Sequence, residues 1–314
     1  MLIDSFCAAG RPRLGMAAVM SALGLLVAAP AGFADTPLRI MAANTTSGNR
    51  QSYDPGEGTR IFQGLAPDIV LIQEFNIGDN SEGAVADWVE TTFGEEFDYY
   101  REDDAQIPNG VISRYPIVAS GEWNDAQVGN RDFAWAQIDI PGEPDLWAVS
   151  VHFLTRSASV RNVQASAVRR LVTANIPEGD YLVIGGDFNT RNAGESALGT
   201  LDDLVDTDPP YPSDQEGRTG TNASRRRPYD WVFIDADLAP LEVPVSIGEN
   251  TFPHGLVFDS RVYEPLADVA PVQPGDSGAT NMQHMAVIRD FVIPGEGTDG
   301  QSPSLLEELL DGLR

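Results

Sequence analysis

The chain of 314 residues carries 47 acidic against 20 basic side chains, every basic one an arginine, for a net charge of −27 at pH 7. That balance repels polyanions at long range, so a nucleic acid or an anionic membrane needs a local basic patch or bridging cations to bind. An apolar fraction of 42%, with 13 Phe, 8 Tyr and 5 Trp, supports a core for one large domain or two small ones.

The first element is a leader. Arg11 and Arg13 precede an apolar run over 14–29, and the small residues "GFA" stand before Asp35. This predicts a signal peptide over 1–34, cleaved after Ala34 or alternatively at Ala31, in a chain secreted to the periplasm or beyond. The run is short for a membrane anchor. The single cysteine, Cys7, leaves with the leader, so the mature chain has neither disulfides nor thiolate metal sites. No later stretch is apolar and long enough to span a membrane, and no stable membrane association is expected after cleavage.

Short apolar strands follow, broken by loops and a few helices. "LRIMAAN" (38–44) reads as a strand ending at Asn44, "GTRIFQGL" (58–65) as a short helix, and "PDIVLIQE" (67–74) as a buried strand ending at Glu74. "EGAVADWVETTF" (82–93) has helical spacing, and "NGVISRYPI" (109–117) reads as one strand. "FAWAQIDI" (133–140) and "LWAVSVHF" (146–153) flank the turn "PGEPD" as a hairpin. Val160, Val163, Val168, Leu171 and Val172 recur near a 3.6 period, which predicts an amphipathic helix over 157–176. "YLVIGGD" (181–187), "DWVFID" (230–235) and "QHMAVIRDFVI" (283–293) complete the strands. The Pro-, Gly- and Asp-rich stretch over 205–228 reads as a lid, a binding loop or a disordered segment. Residues 35–293 thus read as one domain. Residues 294–314 are a linker and a short amphipathic helix capped by Ser302.

Polar residues of catalytic type gather where strands end: Asn44, Glu74, His152, Asp187 with Asn189, and Asp230, with His284 at the start of the last strand. Singly, each has a plain explanation as a turn or solvated residue. Together, at the tips of a rigid sheet, they suit chemistry. Glu74, Asp187 and Asn44 are hard oxygen donors that fit Mg²⁺, or Mn²⁺ or Ca²⁺, rather than zinc. A metal with two imidazoles nearby fits phosphoryl transfer. Gly185 and Gly186, lacking side chains, would let a phosphate and a metal approach the backbone at Asp187.

The segments "IMAAN", "DIVLIQE", "GVISRYPI", "VSVHF", "VIGGDFN", "YDWVFI" and "QHMAVI" occur in the order and approximate spacing of the endonuclease/exonuclease/phosphatase family, which this chain resembles over 37–293. That superfamily includes pancreatic-type deoxyribonucleases, abasic-site endonucleases, sphingomyelinases and inositol-polyphosphate phosphatases. The resemblance implies an α+β fold, a four-layer α/β/β/α sandwich. Two mainly antiparallel sheets would pack face to face between flanking helices, with the site at one end. It also implies that Asn44 and Glu74 hold the metal and that His152 binds the scissile phosphate. Asp187 would orient or activate the attacking water, Asn189 would stabilise the pentacovalent phosphorus, and Asp230 would hydrogen-bond His284. The family's final Ser-Asp-His is here Met282-Gln283-His284. The missing carboxylate puts a second metal in question, with Asp276 as a remote substitute.

The run Arg225-Arg226-Arg227 is either a solvated loop or a phosphate clamp. Arg191 is a further candidate for substrate binding, with Arg114 behind it; His254 is given no role. These readings point to a secreted, divalent-metal-dependent phosphoesterase acting on DNA or a small phosphodiester, with no protein partner implied. The alternatives are a non-catalytic phosphoryl-ligand-binding module on the same fold, or a monoester or lipid head-group phosphatase.

Overall fold

The protein is described by a computed structural model over residues 34–142 and 144–295. The expected leader, apart from Ala34, and the C-terminal helix lie outside the described residues.

In chain order the elements are β1 Thr36–Ala43, α1 Glu57–Leu65, β2 Ile69–Ile72, α2 Glu82–Phe93, β3 Asp98–Arg101, β4 Gly110–Ser113, β5 Ile117–Trp123, β6 Phe133–Ile138 and β7 Leu146–His152. Then come α3 Ala158–Asn175, β8 Tyr181–Asp187, α4 Ser196–Gly199, β9 Asp230–Ile234, β10 Glu242–Val243, β11 Val245–Ile247, β12 Asn250–Phe252, β13 Leu256–Phe258 and β14 Ala286–Ile293. Two helices, α2 and α3, begin at a capping side chain. Ser81 accepts from the Ala84 N–H and Ser157 from the Val160 N–H, both at 3.3 Å, and each such cap is worth about 1 kcal/mol.

One main sheet runs β10-β14-β1-β2-β4-β3, with β13 also paired to β14; the other runs β5-β6-β7-β8-β9, and β11 and β12 form a separate two-stranded ribbon. Pairing is antiparallel except for β1 with β2 and β7 with β8. A parallel pair needs a crossover, and α1 and α3 supply the two. Strand alternation then sorts the layers. On β8, Val183 joins the cluster between the sheets, whereas Leu182 and Ile184 join Val168 and Val172 of α3 on the outer face. On the other outer face α1 and α2 bury Ile61, Phe62, Leu65, Val85 and Val89. The result is the expected α/β/β/α sandwich.

One expected strand divides. Residues 109–117 split into β4 and β5, which belong to different sheets. Pro116 has no N–H to continue the ladder, and Ser113 Oγ bonds the Tyr115 backbone at 2.8 and 3.0 Å, so the chain turns there from one sheet to the other.

Candidate active site

Register brings the polar residues together. His152 on β7 stands opposite Asp187 on β8, and Asp187 stands opposite Asp230 on β9, a single row across one end of the sheet. In the other sheet the last β1–β2 pair is Ala43 with Ile72, so Asn44 and Glu74 emerge at the same end. The Tyr53 hydroxyl lies 3.3 Å from the Ala43 carbonyl and 3.1 Å from that of Gln73, tying these strand tips to one another. The two sheets are pinned by Gln73, whose Nε2 donates to Ser150 Oγ at 2.9 Å.

The side chains meet in one buried cluster. Asn44 Nδ2 reaches Glu74 Oε1 at 3.3 Å and Asp187 Oδ2 at 3.2 Å. Thr46 and Gln51 donate to the two Glu74 oxygens at 2.9 and 2.8 Å. Glu74 itself adopts φ 52°, a left-handed conformation unusual for its type that turns the chain at the site. Asn189, also left-handed, donates its backbone N–H and its Nδ2 to Asp187 at 2.8 and 2.9 Å. His152 Nε2 lies 3.3 Å and His284 Nε2 3.5 Å from Asp187 Oδ2. His284 Nδ1 sits 3.1 and 3.0 Å from the two Asp230 oxygens.

Burial of this many charges sets their protonation. Asp187 is pushed up to about 7, chiefly by desolvation, with His284 opposing. Burial also raises Glu74, against the pull of His284. Burial alone would lower His284, but Asp230, Asp187 and Glu74 outweigh it and hold the imidazolium to about 10. His152 is driven the other way, well below the usual imidazole range, by burial and by the cations Arg131 and His284. The site therefore holds one charged and one neutral imidazole at neutral pH, and an Asp187 poised to exchange a proton there.

The residues fit a divalent cation. Asn44 Oδ1 is buried with no hydrogen-bond partner, while the amide nitrogen faces two carboxylates. Exchanging the amide's nearly isosteric O and N turns that oxygen onto the carboxylates and gives an all-oxygen donor set for a hard ion. Asp187, Asp230 and His284 offer further ligand atoms within 4.8 Å of one another.

Other expectations meet a different placement. Arg225 is only 7% exposed in its side chain and pairs with Asp214 at 2.9 Å and Asp259 at 2.6 Å, so it is a strut rather than a free phosphate clamp. Arg226 and Arg191 are exposed, and Arg227 leans on the Tyr229 hydroxyl at 3.3 Å, beside a Tyr229 ring 5.6 Å from that of His284. Asp276 is bound to Arg60 at 2.6 and 3.0 Å and does not replace the family carboxylate. Gly185 and Gly186 serve the sandwich, not a phosphate. A Cβ at Gly185 would lie 2.5 Å from Leu71 of the facing sheet, and one at Gly186 2.5 Å from Gln73. The 205–228 stretch is neither lid nor disordered. Its Asn222 bridges to His284, the Met285 N–H donates to Thr221 at 2.6 Å, and Thr221 Oγ1 accepts from the Tyr229 and Asp230 N–H groups at 2.8 Å. It is a strap that holds Asp230 and His284 in register.

Arg131 is absent from the sequence reading. It is buried beneath the site, donating from Nε to the His152 carbonyl at 2.5 Å and from a terminal nitrogen to the Phe153 carbonyl at 3.0 Å. Asn189 Nδ2 donates to the same Phe153 carbonyl at 3.1 Å, so one guanidinium orients the backbone that carries His152 and anchors Asn189. A lone arginine in a loop before β6 gives no sequence signal of this.

Over residues 50–252 the sequence matches the Endonuclease/Exonuclease/phosphatase family. The chain belongs to that family. Its members are typically phosphoester hydrolases that generally depend on a divalent metal. Asn44 and His284 fall outside the matched span and join the site through the fold. Among solved structures, a family protein from Bacteroides thetaiotaomicron superposes with TM-score 0.56 at 15% identity, covering 83% of this chain and 99% of that one. A family protein from Beutenbergia cavernae gives 0.52 at 16% over 82% and 72%, and humanized D. rerio TDP2 gives 0.53 at 16% over 81% and 98%. At these identities the likeness is one of fold. No curated protein is a significant match.

Proposed function

We propose that this chain is a secreted, Mg²⁺-dependent phosphodiesterase, cleaving a small phosphodiester or DNA by in-line attack of water. The observation that supports it is the meeting of Asn44, Glu74, His152, Asp187, Asn189, Asp230 and His284 in one buried cluster at the end of the sandwich. Asn44 and Glu74 would hold the ion; when bound, it neutralises phosphate charge and stabilises the developing oxyanion. Asp187 takes the proton of the attacking water, a role suited to a carboxyl titrating at about 7. His284, kept charged by Asp230, and the neutral His152 donate to the phosphoryl oxygens. Asn189, whose two Nδ2 hydrogens rest on Asp187 and the Phe153 carbonyl, would turn one to the phosphoryl oxygens as the P–O bond to water forms and the P–O bond to the leaving group breaks. The strongly acidic surface, with few free arginines near the site, favours a diester of low charge over a long polyanion. Export rests on the leader over 1–34.

The test is hydrolysis of bis-p-nitrophenyl phosphate and plasmid DNA with Mg²⁺ or Mn²⁺ and with chelator, for wild type, Asp187→Ala and His284→Ala. Each variant should lose on the order of a hundredfold or more in rate. Metal-independent turnover, or variants as active as wild type, would remove these residues from the mechanism. Binding of a phosphoryl ligand without turnover would favour a non-catalytic module, the reading to which Gln283 points.

A further inference from the structure

Next to the metal-binding end lies an open cleft of about 510 Å³, inside the roughly 300–1,000 Å³ range of small-molecule sites. One side chain joins it to the catalytic cluster: Gln51 lines the cleft and donates from Nε2 to Glu74 Oε1 at 2.8 Å. A phosphate bound beside Glu74, against His152 and His284, would have this cleft next to one of its esterifying groups.

The lining is unusual in its chemistry. Asn49, Asn76, Asn80 and Gln106 join Gln51 in a wall of neutral amides with no aromatic ring; Arg50 is its only cation, and Asp54, its only carboxylate, already accepts from Gly78 N–H at 2.7 Å and from Ser52 Oγ. Part of each inner amide is already used. Asn76 Nδ2 donates to the Gln51 and Gln106 carbonyls, both at 3.3 Å, which leaves its Oδ1. Asn80 Oδ1 accepts from Ile77 N–H at 3.0 Å and Arg101 at 3.3 Å, which leaves its Nδ2. Gln51 keeps its Oε1, and the exposed Asn49 and Gln106 keep both amide functions. Free acceptors and free donors thus both belong to residues lining the same space.

That pattern discriminates between ligands. A second phosphate wants donors only. A quaternary ammonium wants aromatic faces, and a nucleobase wants a stacking platform; the lining supplies neither. A hydroxyl both donates and accepts, so a group bearing several of them satisfies the wall on all sides. Resting on the phosphoesterase reading, we infer that this cleft is a subsite for an uncharged, hydroxyl-bearing group of glycerol or sugar type, esterified to the scissile phosphate.

Two substrates that differ only in hydroxyls test it: p-nitrophenyl glyceryl phosphate and p-nitrophenyl propyl phosphate, both assayed with Mn²⁺. Binding of glyceryl phosphate against propyl phosphate is measured in parallel by titration calorimetry on the Mn²⁺-loaded protein. The glyceryl compounds should be preferred by about tenfold or more in kcat/KM and in Kd, because a wall built to hydrogen-bond hydroxyls loses those bonds to the propyl analogue. Asn49→Leu and Gln106→Leu, both at exposed positions, should each reduce that ratio severalfold. Equal binding of the glyceryl and propyl ligands overturns the subsite whether or not turnover occurs. So does a ratio that both variants leave intact. Preferential glyceryl binding, with no hydrolysis of bis-p-nitrophenyl phosphate, instead overturns the phosphoesterase reading and leaves the subsite standing.

Discussion

The protonation of Asp187 makes a prediction that needs no substrate. Its carboxyl is raised from 3.8 to about 7 in the fold, which is on the order of 4 kcal/mol between the two protonation states. The fold favours the protonated form, so this contribution to stability is complete below pH 3.8 and is lost as pH rises through about 7. Roughly 3 kcal/mol of it should go between pH 5 and pH 8. A divalent cation competes with that proton and relieves the buried charge, so it should stabilise the protein more at pH 8 than at pH 5. At 100 times its Kd the ion itself contributes about 2.7 kcal/mol. The assay is thermal unfolding by calorimetry at both pH values, in chelator and in saturating Mn²⁺, for wild type and Asp187→Asn. The wild-type Mn²⁺ shift should grow by about 5–10 °C between pH 5 and pH 8, scaled from the few degrees per kcal/mol of a domain this size. The variant should be more stable than wild type at pH 8 without metal and should lose that growth. Glu74 and Glu102 are also raised by burial, so the difference between wild type and Asp187→Asn is the diagnostic quantity. A Mn²⁺ shift equal at both pH values, or one that grows equally in Asp187→Asn, would refute the reasoning.

Other residues give separate tests. Arg131→Lys keeps the charge but cannot bridge the His152 and Phe153 carbonyls as a fork, so kcat should fall about tenfold or more while KM stays within twofold. Arg131→Ala should recover part of its lost rate when guanidinium ion is added; no difference between Lys and Arg at this position would deny the fork its role. Arg225→Met leaves the buried Asp214 without its cation and should cost about 3 kcal/mol in chemical denaturation. Its kcat/KM on bis-p-nitrophenyl phosphate should stay within threefold at a temperature where the protein is folded. A large rate loss with unchanged stability would restore it to a phosphate clamp. Gly185→Ala should cost about 1–3 kcal/mol, because the added Cβ meets Leu71 at 2.5 Å and the Trp231 carbonyl at 2.8 Å. Unchanged stability would mean that the sheets have room to spare.

The fold was legible where local pattern and sheet geometry agree. Strands that end on Asn44, His152 or Asp187 follow from apolar runs with fixed period, and β-register then aligns His152, Asp187 and Asp230 without further instruction. What resisted reading depends on partners far along the chain. The Arg225–Arg227 run is one basic patch in sequence, yet Asp214 and Asp259 take the first arginine and leave the other two exposed. The stretch over 205–228 has no periodicity because its order comes from single ties, Asp214 to Arg225 and Thr221 to the Asp230 N–H, and from pairing with residues near His284. The two glycines suggested an approach by phosphate, but their neighbours, Leu71 on β2 and Gln73 just past its end, lie more than a hundred residues away. Arg131 stayed hidden for the same reason, since its partners are backbone carbonyls that carry no residue identity.

A crystal structure grown with Mn²⁺ and inorganic phosphate tests the central claim most directly. Anomalous scattering should place the ion against the Glu74 carboxylate and the Asn44 amide oxygen, with the phosphate in reach of His152, Asn189 and His284. An ion seated at another acidic surface, with phosphate away from these histidines, would contradict the account.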